Sequence, residues 1–163
     1  MNPTELHDLL SRFQRGEVAL DAVQANLLDR LRAQPYEDLG FARVDLHRSA
    51  RKGFPEVVFG EGKTPSQIAA IAARIVHHGH TLLVTRASAE AFEAVRQALP
   101  DAVFHPQARI IERRAGEIPP GTGSILVAVA GTSDLAVAEE AAITAEVMNN
   151  PVDRLYGVGV DGL

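Results

Sequence analysis

The stretch at residues 125–160, "ILVAVAGTSDLAVAEEAAITAEVMNNPVDRLYGVGV", decides the fold of this chain. It opens with an unbroken apolar run at residues 125–130, which predicts a buried strand. Residues 133–148 predict a helix, and residues 155–160 predict a second strand. A strand, a helix and a strand in this order indicate the opening of a parallel, doubly wound sheet, because parallel neighbours need a crossover connection.

The turn between the first strand and the helix is the main candidate for a ligand site. It comprises Gly131, Thr132, Ser133 and Asp134. A glycine allows close approach to the backbone, and free N–H groups beside two hydroxyls at a helix start favour a phosphate. Asp134 would repel a phosphate but can accept hydrogen bonds from ribose hydroxyls. The alternative is that Ser133 or Asp134 only caps the helix. The position favours a ligand, because ligands of open α/β sheets bind beyond the carboxyl ends of strands.

A smaller α/β region precedes this stretch. Its hydrophobic patterns predict strands at residues 56–59, 81–85 and 108–113, the last at a sheet edge, and helices at residues 65–77 and 87–99.

The loop at residues 116–124, "GEIPPGTGS", predicts a domain boundary because it is rich in glycine and proline. We expect a helical plus α/β domain at residues 1–120 and the first β-α-β of a second domain at residues 124–163. A parallel sheet of two strands cannot cover both of its faces. Either the earlier region completes this sheet or the sequence stops inside a domain, and the second interpretation is favoured. The predicted fold class is α/β.

The first fifty residues predict a helical hairpin and a polar segment. Asn2 and Glu5 fit a capping box at the start of the first helix, and residues 18–32 carry a second apolar helical face. We expect the hairpin to serve packing or a subunit contact. Residues 34–53 are polar, with a short helix expected around Asp45.

Residues 57–64, "VVFGEGKT", end like a nucleotide-triphosphate loop but lack its spacing. That loop needs a glycine at the position that Val57 occupies. Thr64 at the cap and Gln67 three residues later instead fit a capping box. Two interpretations stay open, which are plain capping and capping combined with an anion contact by Lys63 at the helix start.

Three charged residues in "DLHRSARKGFPE" form the next candidate group, with Asp45, Arg48 and Arg51 spaced three apart. They could line a solvated helix face with one ion pair, or offer guanidinium groups to a phosphate or carboxylate. Neither interpretation is favoured by the sequence.

The histidines of "VHHGH" do not predict a metal site. His77 and His78 are adjacent and point to different faces of a helix, and no carboxylate lies at a ligand spacing. Cationic side chains before Gly79 suit the end of a helix. We expect structural roles for them and no metal.

Composition limits the classes of function. A net charge of −5 argues against a general nucleic-acid binder. The absence of cysteine removes disulfides, thiolate zinc sites and a thiol nucleophile from this sequence. The apolar runs are far shorter than the roughly 20 residues that span a bilayer, and the start lacks a basic segment before an apolar stretch. We expect a cytoplasmic protein without a membrane partner.

Three stretches together carry a family resemblance: "GFPEVVFGEGKTPSQI", "VAVAGTSDLAVAEEAAITAEVMNN" and "VDRLYGVGVDGL". The chain resembles the LarB-type family, the pyridinium-3,5-biscarboxylic acid mononucleotide synthases, which are related to the AIR carboxylases (PurE, phosphoribosylaminoimidazole carboxylase). The resemblance covers nearly the whole chain, and residues 127–163 are its most specific part.

The resemblance implies a PurE-like, flavodoxin-type three-layer α/β/α domain that begins at Ser124 and is truncated here, and a homo-oligomer. In such domains the first β-α loop has a Gly-Ser-x-Ser-Asp pattern that holds the nucleotide phosphate and ribose. Ser133 and Asp134 match its last two positions. Gly131 stands where the pattern has its first serine, which suggests that one phosphate-binding hydroxyl has moved to Thr132.

The reaction implied by the resemblance is carboxylation of the pyridinium ring of nicotinic acid adenine dinucleotide, with CO2 or bicarbonate as co-substrate. Phosphoanhydride hydrolysis then releases AMP, and the product serves nickel-pincer nucleotide biosynthesis. The family's cysteine nucleophile is absent from this sequence. We therefore expect part of a nucleotide site with no catalytic residue of its own and no tightly bound cofactor, and leave a divalent metal open.

Two other functions compete with this one. The first is an aminoimidazole ribonucleotide carboxylase or mutase of purine biosynthesis, which would use the same phosphate loop and CO2 chemistry. The second is a non-catalytic nucleotide-binding or assembly module. The helical N-terminal region and "FGEGKT" favour the pyridinium substrate, because the purine enzymes resemble only the later domain.

Overall fold

A computed structural model of the chain describes residues 3–32, 36–45, 48, 54, 56–116 and 120–159. The chain forms two compact units, Met1–Phe54 and Pro55–Leu163. They contain helices with antiparallel and mixed sheets, which confirms the predicted α/β class. The domain division expected near residue 120 stays a prediction. None of the helices in the described ranges is long and apolar enough to cross a membrane.

Among its described residues, the first unit has two complete helices and a two-stranded antiparallel sheet: α1 Pro3–Gln14, α2 Leu20–Arg32, β1 Tyr36–Asp38 and β2 Arg43–Asp45. The expected helix around Asp45 is wrong at that residue, which ends β2 and pairs with Tyr36. A tight turn explains the strand pair. The Asp38 carboxylate accepts hydrogen bonds from the Gly40 amide at 2.8 Å and from Arg43 Nε at 3.1 Å. These bonds bring β2 back alongside β1.

The second unit begins with a four-stranded sheet and two helices: β3 Val57–Phe59, α3 Pro65–His77, β4 Leu82–Thr85, α4 Ala89–Ala98, β5 Val103–His105 and β6 Ile110–Arg113. The strand order is β3-β4-β6-β5, with β3 parallel to β4 and the other two pairs antiparallel. The expected edge position of β6 is wrong, because β5 covers its outer side. The sequence did not predict β5.

Capping residues define where the two helices next to this sheet begin. Helix α3 begins at the predicted capping box, in which the Gln67 amide donates to Thr64 Oγ1 at 3.3 Å and the Thr64 amide donates to Gln67 Oε1 at 3.0 Å. Helix α4 begins at Ser88, whose hydroxyl accepts a hydrogen bond from the Ala91 amide. The two helices pack against each other, and every residue of β4 is buried.

A strand, a helix and a strand complete the unit: β7 Ile125–Val129, a 3-10 turn Thr132–Asp134, α5 Leu135–Val147 and β8 Val152–Tyr156. The two strands are parallel, as predicted. The second strand begins at Val152 rather than at residue 155. The first was expected to be buried, but one of its faces is open, and Leu126 is 61% exposed.

Helix α5 contacts both sheets of the second unit. Ile143 and Val147 pack against Leu83, Ala108 and Ile110 of the four-stranded sheet region. The helix also covers the inner face of β7 and β8. A helix that packs on two sheets needs apolar residues around much of its circumference, and the alanine-rich sequence of α5 provides them. Packing of α5 on the four-stranded sheet links the two parts of the unit.

Candidate functional site

The predicted ligand loop lies directly beyond the carboxyl end of β7. Gly131, Thr132, Ser133 and Asp134 are all exposed. The last three form a single 3-10 turn, closed by hydrogen bonds from the Asp134 amide to the Gly131 carbonyl and from the Leu135 amide to the Thr132 carbonyl. The chain then continues into α5. The structure therefore brings the four predicted residues together at the edge where open α/β sheets bind ligands.

The start of α5 differs from those of α3 and α4 because no side chain caps it. Neither Gly131 nor Asp134, the residues before the 3-10 turn and before α5, makes a side-chain cap hydrogen bond. Ser133 Oγ lies 3.5 Å from Asp134 Oδ1, at the outer limit of a hydrogen bond. Within the described residues, no group accepts a hydrogen bond from the Thr132 or Ser133 amide. Neither Ser133 nor Asp134 therefore caps α5 with its side chain, and the capping interpretation is wrong.

The loop offers a donor set that suits a phosphate. Two backbone amides and two hydroxyls, from Thr132 and Ser133, lie at the positive end of the helix dipole. Gly131 has an ordinary φ of −86°, so its backbone does not require glycine. A Cβ at Gly131 would lie 3.4 Å from Ser133 Oγ, a tight contact.

Asp134 adds a carboxylate at the side of this donor set. A phosphate would avoid it, while a sugar hydroxyl could donate to it. The chemistry of these groups suits a ligand that presents a phosphate next to a diol, and the loop contains no nucleophile stronger than a hydroxyl.

Ion pairs with β8 hold the second turn and the last turn of α5. Arg154 of β8 donates a hydrogen bond from Nη1 to Glu146 Oε1 at 2.5 Å, and its Nε lies 3.3 Å from Glu139 Oε1. The hydrogen bond from Arg154 lowers the pKa of Glu146, and Glu146 in turn raises the pKa of Arg154. Burial raises the pKa of Tyr156, and the Glu139 charge raises it further. The sequence analysis did not identify this cluster.

Lys63, the predicted anion contact of "GKT", lies elsewhere in the second unit. Its ammonium donates a hydrogen bond to the Phe59 carbonyl at 2.7 Å. The Thr64 cap beside it satisfies the start of α3 from within the chain. Capping is therefore confirmed, and the anion contact of Lys63 stays a prediction.

Asp45 and Arg48 lie in the first compact unit, whereas the β7 loop belongs to the second. Asp45 is in a strand and Arg48 is helical and exposed, so the helix face expected to carry both does not form. Arg51, the third member of that group, lies outside the described residues.

The histidine cluster closes a helix, as expected. His78 is the C-terminal cap of α3, with its amide bonded to the Arg74 carbonyl, and Gly79 follows with a φ of 75°. The His77 and His78 rings meet edge to face at 5.4 Å. In the described part of the chain, no three His, Asp or Glu residues are grouped so that they could hold a metal ion.

Two structural residues near the loop side of the unit were missed by the sequence analysis. Arg86 follows β4 and pairs with Glu140 of α5, with Nε 2.7 Å from Oε2. Gly60 follows β3 and donates its amide to the Thr85 carbonyl at 2.8 Å. Only their positions in the sequence could have indicated these residues, because each directly follows a predicted strand. The two strands form a parallel pair in the structure.

Comparison with known proteins assigns the middle of the chain to a described family. Residues 36–115 match the LarB/PurE-like N-terminal domain. The chain is also similar to a curated protein of Methanocaldococcus jannaschii named "Uncharacterized protein MJ0165", with 30% identity over 168 aligned positions. That alignment takes in 97% of this chain and 63% of the relative, so the chain spans less than two-thirds of the relative's length.

Proposed function

This chain belongs to the LarB-type, PurE-like family, and on that premise we propose that it supplies part of the nucleotide site of a carboxylase acting on nicotinic acid adenine dinucleotide. The family is one of carboxylases and mutases, which gives the reaction class. The full reaction in this proposal is carboxylation of the pyridinium ring by CO2 or bicarbonate, followed by phosphoanhydride hydrolysis that releases AMP. The product would enter nickel-pincer nucleotide biosynthesis.

The observation that carries the proposal is the uncapped start of α5 beyond β7. In the proposal, the Thr132 and Ser133 amides and hydroxyls bind a phosphate of the dinucleotide, and Asp134 accepts a hydrogen bond from a ribose hydroxyl. Gly131, which has no side chain, would let the ligand approach the backbone closely. Lys63 in the second unit, and separately Arg48 and Asp45 in the first unit, stay predictions as nucleotide contacts.

The chemistry explains why binding and turnover need not lie in the same residues. A pyridinium ring is electron-poor and does not attack CO2. Addition of a thiolate to the ring removes the positive charge and creates a nucleophilic carbon, and this chain has no cysteine. The proposal therefore assigns binding to the described loop and no turnover to these 163 residues alone. It requires no tightly bound cofactor, and leaves a divalent metal open.

Titration of the chain by calorimetry separates the proposed substrate from its alternatives. We expect AMP and nicotinic acid adenine dinucleotide to bind, with the dinucleotide tighter. Preferential binding of aminoimidazole ribonucleotide would instead favour the purine reaction. Binding of all three nucleotides with similar affinity would favour a non-catalytic nucleotide module.

Two loop variants and two controls test the site. Ser133→Ala and Asp134→Ala should each weaken binding about 5- to 50-fold, because each removes a hydrogen bond to a charged or diol group. Ser124→Ala and Asp153→Ala are matched controls, since Ser124 precedes the other end of β7 and Asp153 is exposed on β8. Unchanged affinity in both loop variants would contradict the site assignment, and appreciable carboxylation by this chain would contradict the division of roles. A homo-oligomer and a cytoplasmic location stay predictions.

A further inference from the structure

Arg86 stands at the carboxyl end of β4 in a backbone conformation that side chains rarely adopt, with a φ of 54°. Neighbouring segments hold the backbone on both sides of it. The Gly60 amide donates to the Thr85 carbonyl at 2.8 Å, and the Ala87 amide donates to the Arg109 carbonyl at 2.7 Å. A strained conformation that is held from two sides is typical of residues whose side chain must point in one direction.

Gly60 is part of this support. A Cβ at this position would lie 2.9 Å from the Thr85 carbonyl oxygen and 3.2 Å from that of Arg86. Both atoms are backbone and cannot turn away, so only glycine allows β3 to end this close to β4. The conspicuous "FGEGKT" stretch therefore supports the backbone that carries Arg86.

The Arg86 side chain reaches from the four-stranded sheet to α5. Its Nε lies 2.7 Å from Glu140 Oε2, and the two side chains are 38% and 20% exposed. The buried Nε has no hydrogen-bond partner of good geometry, so charge attraction rather than a linear hydrogen bond holds the pair. Partial burial reduces the screening of this attraction by salt.

Glu140 lies close to the loop that the proposed function assigns to the nucleotide. It follows Asp134 by six positions, or about 9 Å along a helix. The neighbouring Glu139 pairs with Arg154 of β8, so the same turn of α5 is held from both sheets. In the first turn Val137 is 56% exposed, while Ala138 is buried. The turn that carries Glu139 and Glu140 is the part of the helix near the loop that ion pairs hold from both sheets.

We propose that Arg86 is a positioning residue for the nucleotide loop, because through Glu140 it holds the start of α5 in the orientation that presents the Thr132 and Ser133 amides to a phosphate. This inference rests on the proposed function. It gives the four-stranded sheet of the N-terminal domain a part in nucleotide binding without direct contact to the ligand.

The test uses the full chain with Arg86→Met, Arg86→Lys and Glu140→Gln. Arg96→Met is the matched control, because Arg96 pairs with Glu93 at 2.7 Å on the exposed side of α4. Three quantities are measured for each variant: the amide chemical shifts of the loop without ligand, the affinity for AMP and the melting temperature.

We expect Arg86→Met and Glu140→Gln to move the same loop amide signals and to weaken AMP binding about tenfold, a typical size for a loss of pre-organisation through one contact. Arg86→Lys keeps the positive charge and should restore most of the affinity. The control should change neither the signals nor the affinity. Rescue by lysine separates positioning through charge from a general loss of packing.

Unchanged loop signals and AMP affinity in a folded Glu140→Gln or Arg86→Met variant would overturn the inference while leaving the proposed function intact. If Arg86→Met fails to fold, Glu140→Gln alone decides. If the unmodified chain binds neither AMP nor the dinucleotide, the proposed function fails and this inference fails with it.

Discussion

Arg154 of β8 and Glu146 of α5 form a hydrogen-bonded ion pair at 2.5 Å, in which each side chain is 30% exposed. The pair ties the last turns of the helix to the second strand of the parallel sheet. The hydrogen bond from Arg154 lowers the pKa of Glu146 below its ordinary value of 4.5, and partial burial opposes this shift. The pair therefore links the stability of the β-α-β segment to pH.

Glu146→Gln should reduce the pH dependence of stability in acid. Because the folded pKa is lowered, the contribution of Glu146 is fully present above pH 4.5 and is lost as pH falls through the lower folded value. At neutral pH we expect the variant to lose about 1 kcal/mol, a value reduced for solvent screening. Urea denaturation between about pH 7 and pH 3 measures the difference, which should shrink toward acid. An equal difference at every pH would contradict this origin.

Gly60→Ala should destabilise the second unit by about 1–3 kcal/mol, because the new Cβ meets backbone oxygens that can move only with β4. Gly159→Ala is the matched control, since a Cβ at Gly159 has no atom within 4 Å and no strained φ. It should stay within about 0.5 kcal/mol of the unmodified chain. Chemical denaturation of both variants checks the prediction, and equal stability would show that Gly60 does not need to be glycine.

Ile143→Ala tests the packing of α5 on the four-stranded sheet. Ile143 is buried against Leu83 and Ile110, and its truncation should cost about 2–4 kcal/mol because it leaves a cavity. Val137→Ala in the same helix removes an exposed side chain and should change stability by less than about 0.5 kcal/mol. The free energy of unfolding is compared for the two variants. Similar losses would mean that α5 packs on the sheet differently.

Thr64→Ala separates the two interpretations of "GKT". Loss of the cap should cost about 1 kcal/mol, while Thr64→Ser should retain most of the stability because serine also caps. The affinity for AMP should not change in either variant. A weaker affinity in folded Thr64→Ala would instead favour an anion contact at the start of α3, with Lys63 as its cation.

Where signals are local, the sequence predicted the elements closely. Helix α3 has the predicted bounds, because the Thr64 cap and Gly79 mark its two ends within a few residues. The residues of the β7 loop could also be identified, since a small polar turn directly follows an apolar strand. Their lack of a side-chain cap could not be read from residue types, which suit capping equally well.

Where partners are distant, the prediction failed. The predicted start of β8 was too far along the chain, because the two charged residues of "VDRLY" did not suggest a strand. In the structure Arg154 pairs with Glu139 and Glu146 of α5, so the strand can include it. Strand β5 was missed because its three residues have no pattern of their own and pair only with β6. Because β5 pairs with β6, strand β6 lies inside the sheet and not at its edge.

The sequence by itself determined the helix limits, the parallel β-α-β and the residue types of the β7 loop, because caps, turns and apolar runs act within a few positions of the chain. Only the tertiary structure decided that α5 contacts two sheets and that Arg86 meets Glu140. Arg86 and Glu140 are 54 positions apart in the chain, and Leu83 and Ile143 of the other contact are 60 apart. The formation of both contacts depends on how β4 and α5 pack, which no local pattern encodes.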